Sequence, residues 1–208
     1  MNYFITGIGT NVGKTIVSAI LTEALQTDYW KPIQSGTSEG LDSNTVKSLI
    51  SNTKTIIHPE SYLLKAPLSP HYAAKLENIE IELKKITLPV GLSEVEIPNK
   101  HLIIEGAGGL LVPINTKHYV IDIAKQFDCE IVLVISDYLG CINHTLLSID
   151  YLLKNNFKIK TLVFNGTFDE EIKNTIINYA PQLKTIDIAK LAELSKHAVL
   201  EEANRVVL

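Results

Sequence analysis

The sequence predicts an α/β fold, a mostly parallel sheet with helices on both faces. Three observations predict it. Short apolar runs that read as strands alternate with helical patterns along the chain. One run, Ile131 to Ile135, is apolar at every position, as a strand buried on both faces of a parallel sheet must be. The third is the opening stretch Tyr3 to Thr15, YFITGIGTNVGKT, where strand, glycine-rich turn, Gly13-Lys14-Thr15 and helix follow one another. That order makes a phosphate-binding loop. Its backbone N–H groups converge at a helix start, where the macrodipole also favours negative charge.

The elements follow in chain order. Tyr3, Phe4 and Ile5 form the first strand, and a helical pattern takes over from Ile16 through Val17, Ile20, Leu21 and Leu25. Tyr29 to Ile33 reads as the second strand, closed by Ser35 and Gly36, and Thr37 to Asn44 as polar loop before a short helix over Val46 to Ile50. The stretch from Asn52 to Leu92 is the least regular. Within it Ser69-Pro70-His71 looks like a helix start with proline in the first turn, and Ile79, Leu83 and Ile86 form a helical face. His101 to Glu105 is the next strand, running into Gly106-Ala107-Gly108-Gly109. Ile131 to Ile135 precedes an apolar helix over Ile142 to Leu153, Thr161 to Phe164 is the last clear strand, and Leu191 to Leu208 carries a mixed-charge helical pattern.

Composition narrows the function. The 208 residues suit one α/β domain over 1–208, long enough to bury a sheet between helices. Lys and Arg number 19 against 23 Asp and Glu, so neither nucleic acid nor a membrane is an expected partner. No apolar run reaches the ~18 residues of a membrane span, and no basic n-region opens the chain, so a cytoplasmic protein is expected. Cys129 and Cys141 have no metal-ligand spacing, which fits a reducing compartment.

Ligands of such sheets collect at the carboxyl ends of the strands. Polar residues just past each predicted strand are therefore the candidates: the loop, then Lys31 and Ser35, then Glu105 and its glycines, then Ser136, Asp137, Gly140, Cys141 and Asn143, and finally Asn165-Gly166. Lys14 would set a point charge on the terminal phosphates, and the Thr15 hydroxyl would take magnesium. Glu105, at the end of an apolar strand, sits where a carboxylate serves a magnesium ion or an attacking water. Lys31, leaving an apolar strand, suits a phosphate or other anion. The loop spacing is unusual, with five residues between Gly7 and Gly13, which points to the P-loop NTPase type with an altered loop.

The loop TGIGTNVGKT resembles the TGTDTxVGKT of dethiobiotin synthetases, five-residue spacing included. KPIQSG over Lys31 to Gly36 resembles their KPxxSG. Ser69-Pro70-His71 is similar to their SPH, Glu105 to Gly109 to their EGAGG, and Leu139 to His144 to their LGCINH. The loop alone would be shared with cobyrinate amidases and other relatives, whereas the other blocks together are specific. The resemblance implies an ATP-dependent closure of 7,8-diaminononanoate with CO2 to dethiobiotin, through a carbamate and its phosphorylated anhydride, in biotin biosynthesis. It implies Lys31 and Lys14 as catalytic residues. It places ATP on Asn11, Val12, Gly13, Lys14, Thr15, Ile16, Glu105, Gly106, Ala107, Gly108, Asn165 and Gly166. The diamine and carbamate fall on Thr10, Lys31, Ser35 and Gly108, with Gly140, Cys141 and Asn143 supplied by the neighbouring subunit of a homodimer with shared sites. Mg2+ falls on Thr15, Asp42 and Glu105. Cys141 then opens a helix rather than acting as a nucleophile, and His71 and His144 are hydrogen-bonding scaffold.

The chain departs from the family pattern in three places. Gly9 and Asn11 stand where Asp and Glu are usual. An ungapped match puts Thr45 at the place of a metal-binding aspartate, while Asp42 supplies the charge nearby. Thr185 to Lys190 replaces the G-x-I-P-x-L that encloses adenine, so a more open base site, accepting other nucleoside triphosphates, is expected. The competing function is a P-loop switch ATPase of the partitioning type. Those carry a second lysine early in the loop, which Thr6-Gly7-Ile8 does not provide. A non-catalytic dimer that kept only the fold is the other alternative, against which the intact Lys14, Thr15, Lys31 and Glu105 stand.

Overall fold

The computed structural model describes residues 2–89 and 101–208. Its described strands form a seven-stranded sheet of order β4-β2-β6-β1-β7-β8-β9, and every pairing within it is parallel. The strands are β1 (Asn2–Gly7), β2 (Asp28–Trp30), β4 (Ile57–His58), β6 (Leu102–Gly109), β7 (Glu130–Ile135), β8 (Ile159–Asn165) and β9 (Thr185–Ile188). β1, β6 and β7 occupy the middle, and their buried runs are the apolar ones that the sequence shows.

The crossovers fix where the helices lie. From β1 to β2 the chain moves one way along the sheet, and from β6 to β7, β8 and β9 it moves the other way. Right-handed crossovers then place α1 (Lys14–Leu25) and α2 (Asp42–Leu49) on one face. They place α4 (Val120–Gln126), α5 (Cys141–Lys154) and α6 (Glu170–Tyr179) on the other. The terminal helix α7 (Lys196–Ala203) packs back on α1. Two opposite winding directions starting from β1 and β6 leave a crevice above their carboxyl ends.

Several expectations are corrected. The strand expected over Tyr29 to Ile33 is two strands: β2 stops at Trp30, and β3 (Ile33–Ser35) pairs with β5 (Tyr62–Leu64) in a separate small sheet. Pro32 has no N–H to give a ladder, and its carbonyl turns to Ser61 and Tyr62 instead. The polar stretch Thr37 to Asn44 is not all loop. A 3₁₀ turn covers Thr37–Glu39, and α2 begins at Asp42. Ile79, Leu83 and Ile86 share no α-helix; only a 3₁₀ turn at Leu83–Lys85 forms there. The proline start at Ser69-Pro70 does open a helix, α3 (Pro70–Leu76). Residues 90–92, the end of the irregular stretch, lie outside the described residues.

Candidate active site

The loop is shaped by two backbone positions that only small residues tolerate. Gly13 has φ 90°, and a Cβ there would lie 2.0 Å from Nδ2 of Asn165. That amide instead donates to Val12 O at 2.9 Å, so the end of β8 clasps the loop from behind. Gly7 is equally crowded, its Cβ position falling 2.4 Å from Val12. Gly13 then starts α1, accepting the N–H groups of Ile16 and Val17 on its carbonyl. Lys14 is buried, and its Nζ donates to Gly9 O across the loop at 3.0 Å. Burial pulls its ammonium down to about 8; Glu105 opposes that shift and Lys31 adds to it.

Behind the loop, sheet register gathers the charges. Tyr29 pairs with Ile103 across β2 and β6, and Glu105 pairs with Ile5 of β1. Side chains alternate along a strand, so Ile103 and Glu105 share a face, with Tyr29 beside them. Lys31, two residues past Tyr29, follows on the same side. Glu105 is 1% exposed and accepts three hydrogen bonds: Thr15 Oγ1 at 3.0 Å and Lys31 Nζ at 2.8 Å on Oε1, and Tyr29 OH at 2.9 Å on Oε2. Lys31 also pairs with Asp42, at the first turn of α2. Burial alone would lower the Lys31 ammonium, but Glu105 and Asp42 hold it above its usual range. The Tyr29 phenol is pushed well up, by burial and then by the charge of Glu105.

These groups open into a cleft of about 830 Å³. Thr10, Asn11, Gly13, Lys14, Thr15 and Ile16 line it from the loop, with Lys31, Ser35 and Asp42 opposite and Glu105, Ala107 and Gly108 at the end of β6. Ser35 Oγ is buried without a hydrogen-bond partner. Val12 and Gly106 are buried beneath, Gly106 against Phe4 and Val120. The two candidate metal positions have different surroundings. Asp42 reaches Lys31 in the cleft, whereas the Thr45 hydroxyl donates to the carbonyl of Leu41, the residue before α2, at 3.4 Å.

Gly140, Cys141 and Asn143 are not brought into this cleft. They open α5 beside the loop, where the Tyr138 hydroxyl lies 3.7 Å from the Cβ position of Gly9 and hydrogen-bonds His144 Nδ1 at 2.7 Å. Cys141 is buried, with its Sγ 3.8 Å from Asp137. His71 is exposed, and its N–H donates to Pro113 O. Gly166 lines a second pocket of about 320 Å³, walled by Ile188 and Ala189 and by Glu202 of α7. Thr185 to Ile188, within the segment that departs from the family pattern, form β9, and Ile188 and Ala189 line this pocket. The Gly166 N–H to Ile188 O bond is 2.8 Å long, and β9 continues the sheet there.

Two contributors went unread in the sequence. Gln34 accepts the Asp42 N–H at 3.2 Å and donates to Ser35 O at 2.8 Å, fixing the start of α2. Tyr29 binds Glu105; its strand period with Lys31 was the signal available.

Among the described residues no cluster of three or more His, Cys, Asp or Glu forms. A magnesium site does not need one, because the ion uses one or two carboxylates, waters and substrate phosphates. Asp42 and Glu105 offer hard oxygens around a point already holding a cation, the Lys31 ammonium, and Thr15 adds a hydroxyl bonded to Glu105. That donor set fits Mg2+ with a bound nucleotide.

Solved structures share the architecture at low identity, which speaks to fold alone. The MinD subunit-containing MinC:MinD cell division complex of Aquifex aeolicus matches with a TM-score of 0.58 at 14% identity, covering 98% of this chain and 94% of that one. A ParA family ATPase from Chlorobium tepidum matches with 0.58 at 10% identity, covering 99% of each. A family model described as an AAA domain matches residues 1–204. Fold and site together define a P-loop nucleotide-binding protein. The ATP-dependent dethiobiotin synthetase BioD of Cytophaga hutchinsonii is 47% identical over 197 residues, 95% of this chain and 92% of that protein. That of Agrobacterium fabrum is 37% identical over 96% of this chain and 91% of its own length. The chain belongs to the dethiobiotin synthetase family. No helix among the described residues is long and apolar enough to cross a membrane.

Proposed function

We propose that this protein closes the ureido ring of dethiobiotin from 7,8-diaminononanoate and CO2 at the expense of ATP, as a step of biotin biosynthesis. The observation that carries the reading is the convergence of Lys14, Thr15, Lys31, Asp42 and Glu105 on one cleft beside the loop. Family membership supports the overall reaction, and the chemistry of these groups supports the route.

One amine of the diamine adds to CO2 and loses a proton, giving a carbamate. A carbamate oxygen takes the γ-phosphoryl group from ATP, with ADP leaving. The second amine attacks the carbamoyl carbon, the C–O bond to phosphate breaks, and the ring closes. Phosphoryl transfer is accelerated mainly by placing reactants in line and by neutralising charge. Lys14 holds the terminal phosphates, and the loop amides over Asn11 to Ile16 hold the rest of the chain of phosphates. Lys31 leaves its carboxylates to draw the carbamate oxygen toward phosphorus. Thr10, Ser35 and Gly108 seat the diamine and carbamate, and the free Ser35 hydroxyl is a donor in want of an acceptor. When bound, Mg2+ on Thr15, Asp42 and Glu105 neutralises phosphate charge. Asn165 and Gly166 border the base. Glu105, Gly106 and Ala107 close the phosphate side.

The diamine's distal carboxylate requires a further anion site. The start of α5 at Gly140, Cys141 and Asn143 of a second protomer supplies it, the Cys141 N–H itself being held by Tyr138 O, which makes the working form a homodimer with shared sites. The MinD and ParA likeness gives no support to a switch function, since it rests on fold at low identity.

Isotope transfer tests the route. With ¹⁸O-labelled CO2, the oxygen that bridges carbon and phosphorus must leave with phosphate, so labelled inorganic phosphate should accompany dethiobiotin. Label confined to the ring carbonyl and solvent would exclude the phosphorylated carbamate.

A further inference from the structure

Glu105 carries a charge almost wholly out of water, so each of its oxygens needs a partner. Oε1 has Thr15 and Lys31, both lining the cleft. Oε2 has Tyr29, at 2.9 Å. Tyr29 is fully buried, is not among the cleft-lining residues, and reaches Glu105 only through the register of β2 on β6. A phenylalanine would fill the same volume of core. The hydroxyl is thus the part of this side chain that packing leaves unexplained.

We propose that Tyr29 is a positioning residue: its hydroxyl occupies Oε2 of Glu105, so that once Lys31 has moved to the substrate, Glu105 presents the single oxygen Oε1 to the divalent cation accompanying the nucleotide, and the site favours a small octahedral ion over a larger one. The inference rests on Glu105 being a cation ligand. Magnesium demands near-ideal octahedral geometry, whereas calcium accepts more oxygens and readily takes both from one carboxylate. A hydrogen bond on Oε2 suits the first mode and obstructs the second. It also sets the rotation of the carboxylate, which Thr15 and Lys31, both on Oε1, leave less constrained. Outer partners of this kind orient a ligand without touching the metal.

The test is Mn2+ binding, read by electron paramagnetic resonance on the whole protein with ADP, followed by displacement with Mg2+ or Ca2+. In Tyr29→Phe, Mg2+ affinity should fall about tenfold, the lower end for a lost outer partner. Calcium affinity should fall less, so the preference for magnesium narrows, while KM for the diamine stays as in the parent. Unchanged Mg2+ affinity, or equal weakening of both ions, overturns the proposal. If Tyr29→Phe does not fold, Tyr29→Met, which also lacks the donor, is read by the same criteria. Glu105→Gln separates the two levels of the argument. Parent-like Mn2+ binding in that variant would remove Glu105 as a ligand; weakened binding there, with Tyr29→Phe unaltered, would remove only the role of Tyr29.

Discussion

Gly13 concentrates two demands on one residue: a left-handed φ of 90°, and a side-chain position already filled by the Asn165 amide. Alanine there must displace Asn165 or unwind the loop, and a strained backbone of this sort costs about 1–3 kcal/mol. Gly13→Ala should therefore lose ATP binding by calorimetry and lower the melting temperature; tight binding in that variant would disprove the clasp. Lys31→Met removes the ammonium that joins Asp42 and Glu105. Turnover should fall at least about a hundredfold, on the scale of losing a donor to developing charge. Retained turnover would move the catalytic charge elsewhere. At this scale the sequence was most legible where a residue's chemistry conflicted with its surroundings, as with Lys31 in an apolar strand or Glu105 before four small residues. Tyr29 was not legible, because an aromatic residue in a buried strand is already accounted for by packing. Its hydroxyl acquires meaning only through the pairing of β2 with β6.

Between elements, buried charge does the fastening. Glu23 of α1 accepts from the N–H groups and side chains of both Ser51 and Asn52, tying α1 to the segment after α2. Burial pushes its carboxyl up, but these hydrogen bonds outweigh that and hold it below the usual glutamate range. Folding therefore gains stability from the ionised form above the unfolded value and loses it as pH falls through the folded one. Glu23→Gln should be less stable by about 1–3 kcal/mol in urea near neutrality, and the gap should close in mild acid. A gap that persists in acid would mean that the charge is not the fastener. At the other edge, Ile188, Ala189 and Glu202 wall the pocket next to Gly166 without the usual G-x-I-P-x-L. Relaxed nucleotide choice remains the expectation, with GTP and CTP supporting turnover comparable to ATP; a strong preference for ATP at equal concentration would contradict it. Elements were legible where periodicity was strong. They were misread where one atom decided, as when Pro32 ended β2 by lacking an N–H. Short helices such as α4 and α6 escaped because few turns leave little period, although Asp169 caps α6 through the Glu171 N–H at 2.8 Å.

Across the whole molecule, the parallel sheet and its two winding directions bring the loop, β6 and α2 to one crevice. Strand order was not readable, since β1 lies between β6 and β7, which are distant from it in sequence. That each strand end would contribute to one cleft held for β1, β3 and β6. It did not hold for Gly140, Cys141 and Asn143 at the start of α5, nor for Asn165 and Gly166 at the end of β8, none of which lines that cleft. Leu139 and Leu147 are fully and largely exposed around Asn143, and in the proposed homodimer they would lie on the face that a second protomer covers. Leu147→Glu should yield a monomer by sedimentation, with KM for the diamine raised; a fully active monomer would dismiss the shared site.

Diamine-dependent release of ADP is the most direct test of the central claim. The protein would be mixed with ATP, Mg2+, bicarbonate and 7,8-diaminononanoate, with product mass followed alongside ADP. ADP that appears only with the diamine, together with a dethiobiotin mass, is the expected result. Hydrolysis that proceeds equally without the diamine, and no dethiobiotin, would contradict the synthetase account and favour a nucleotide switch.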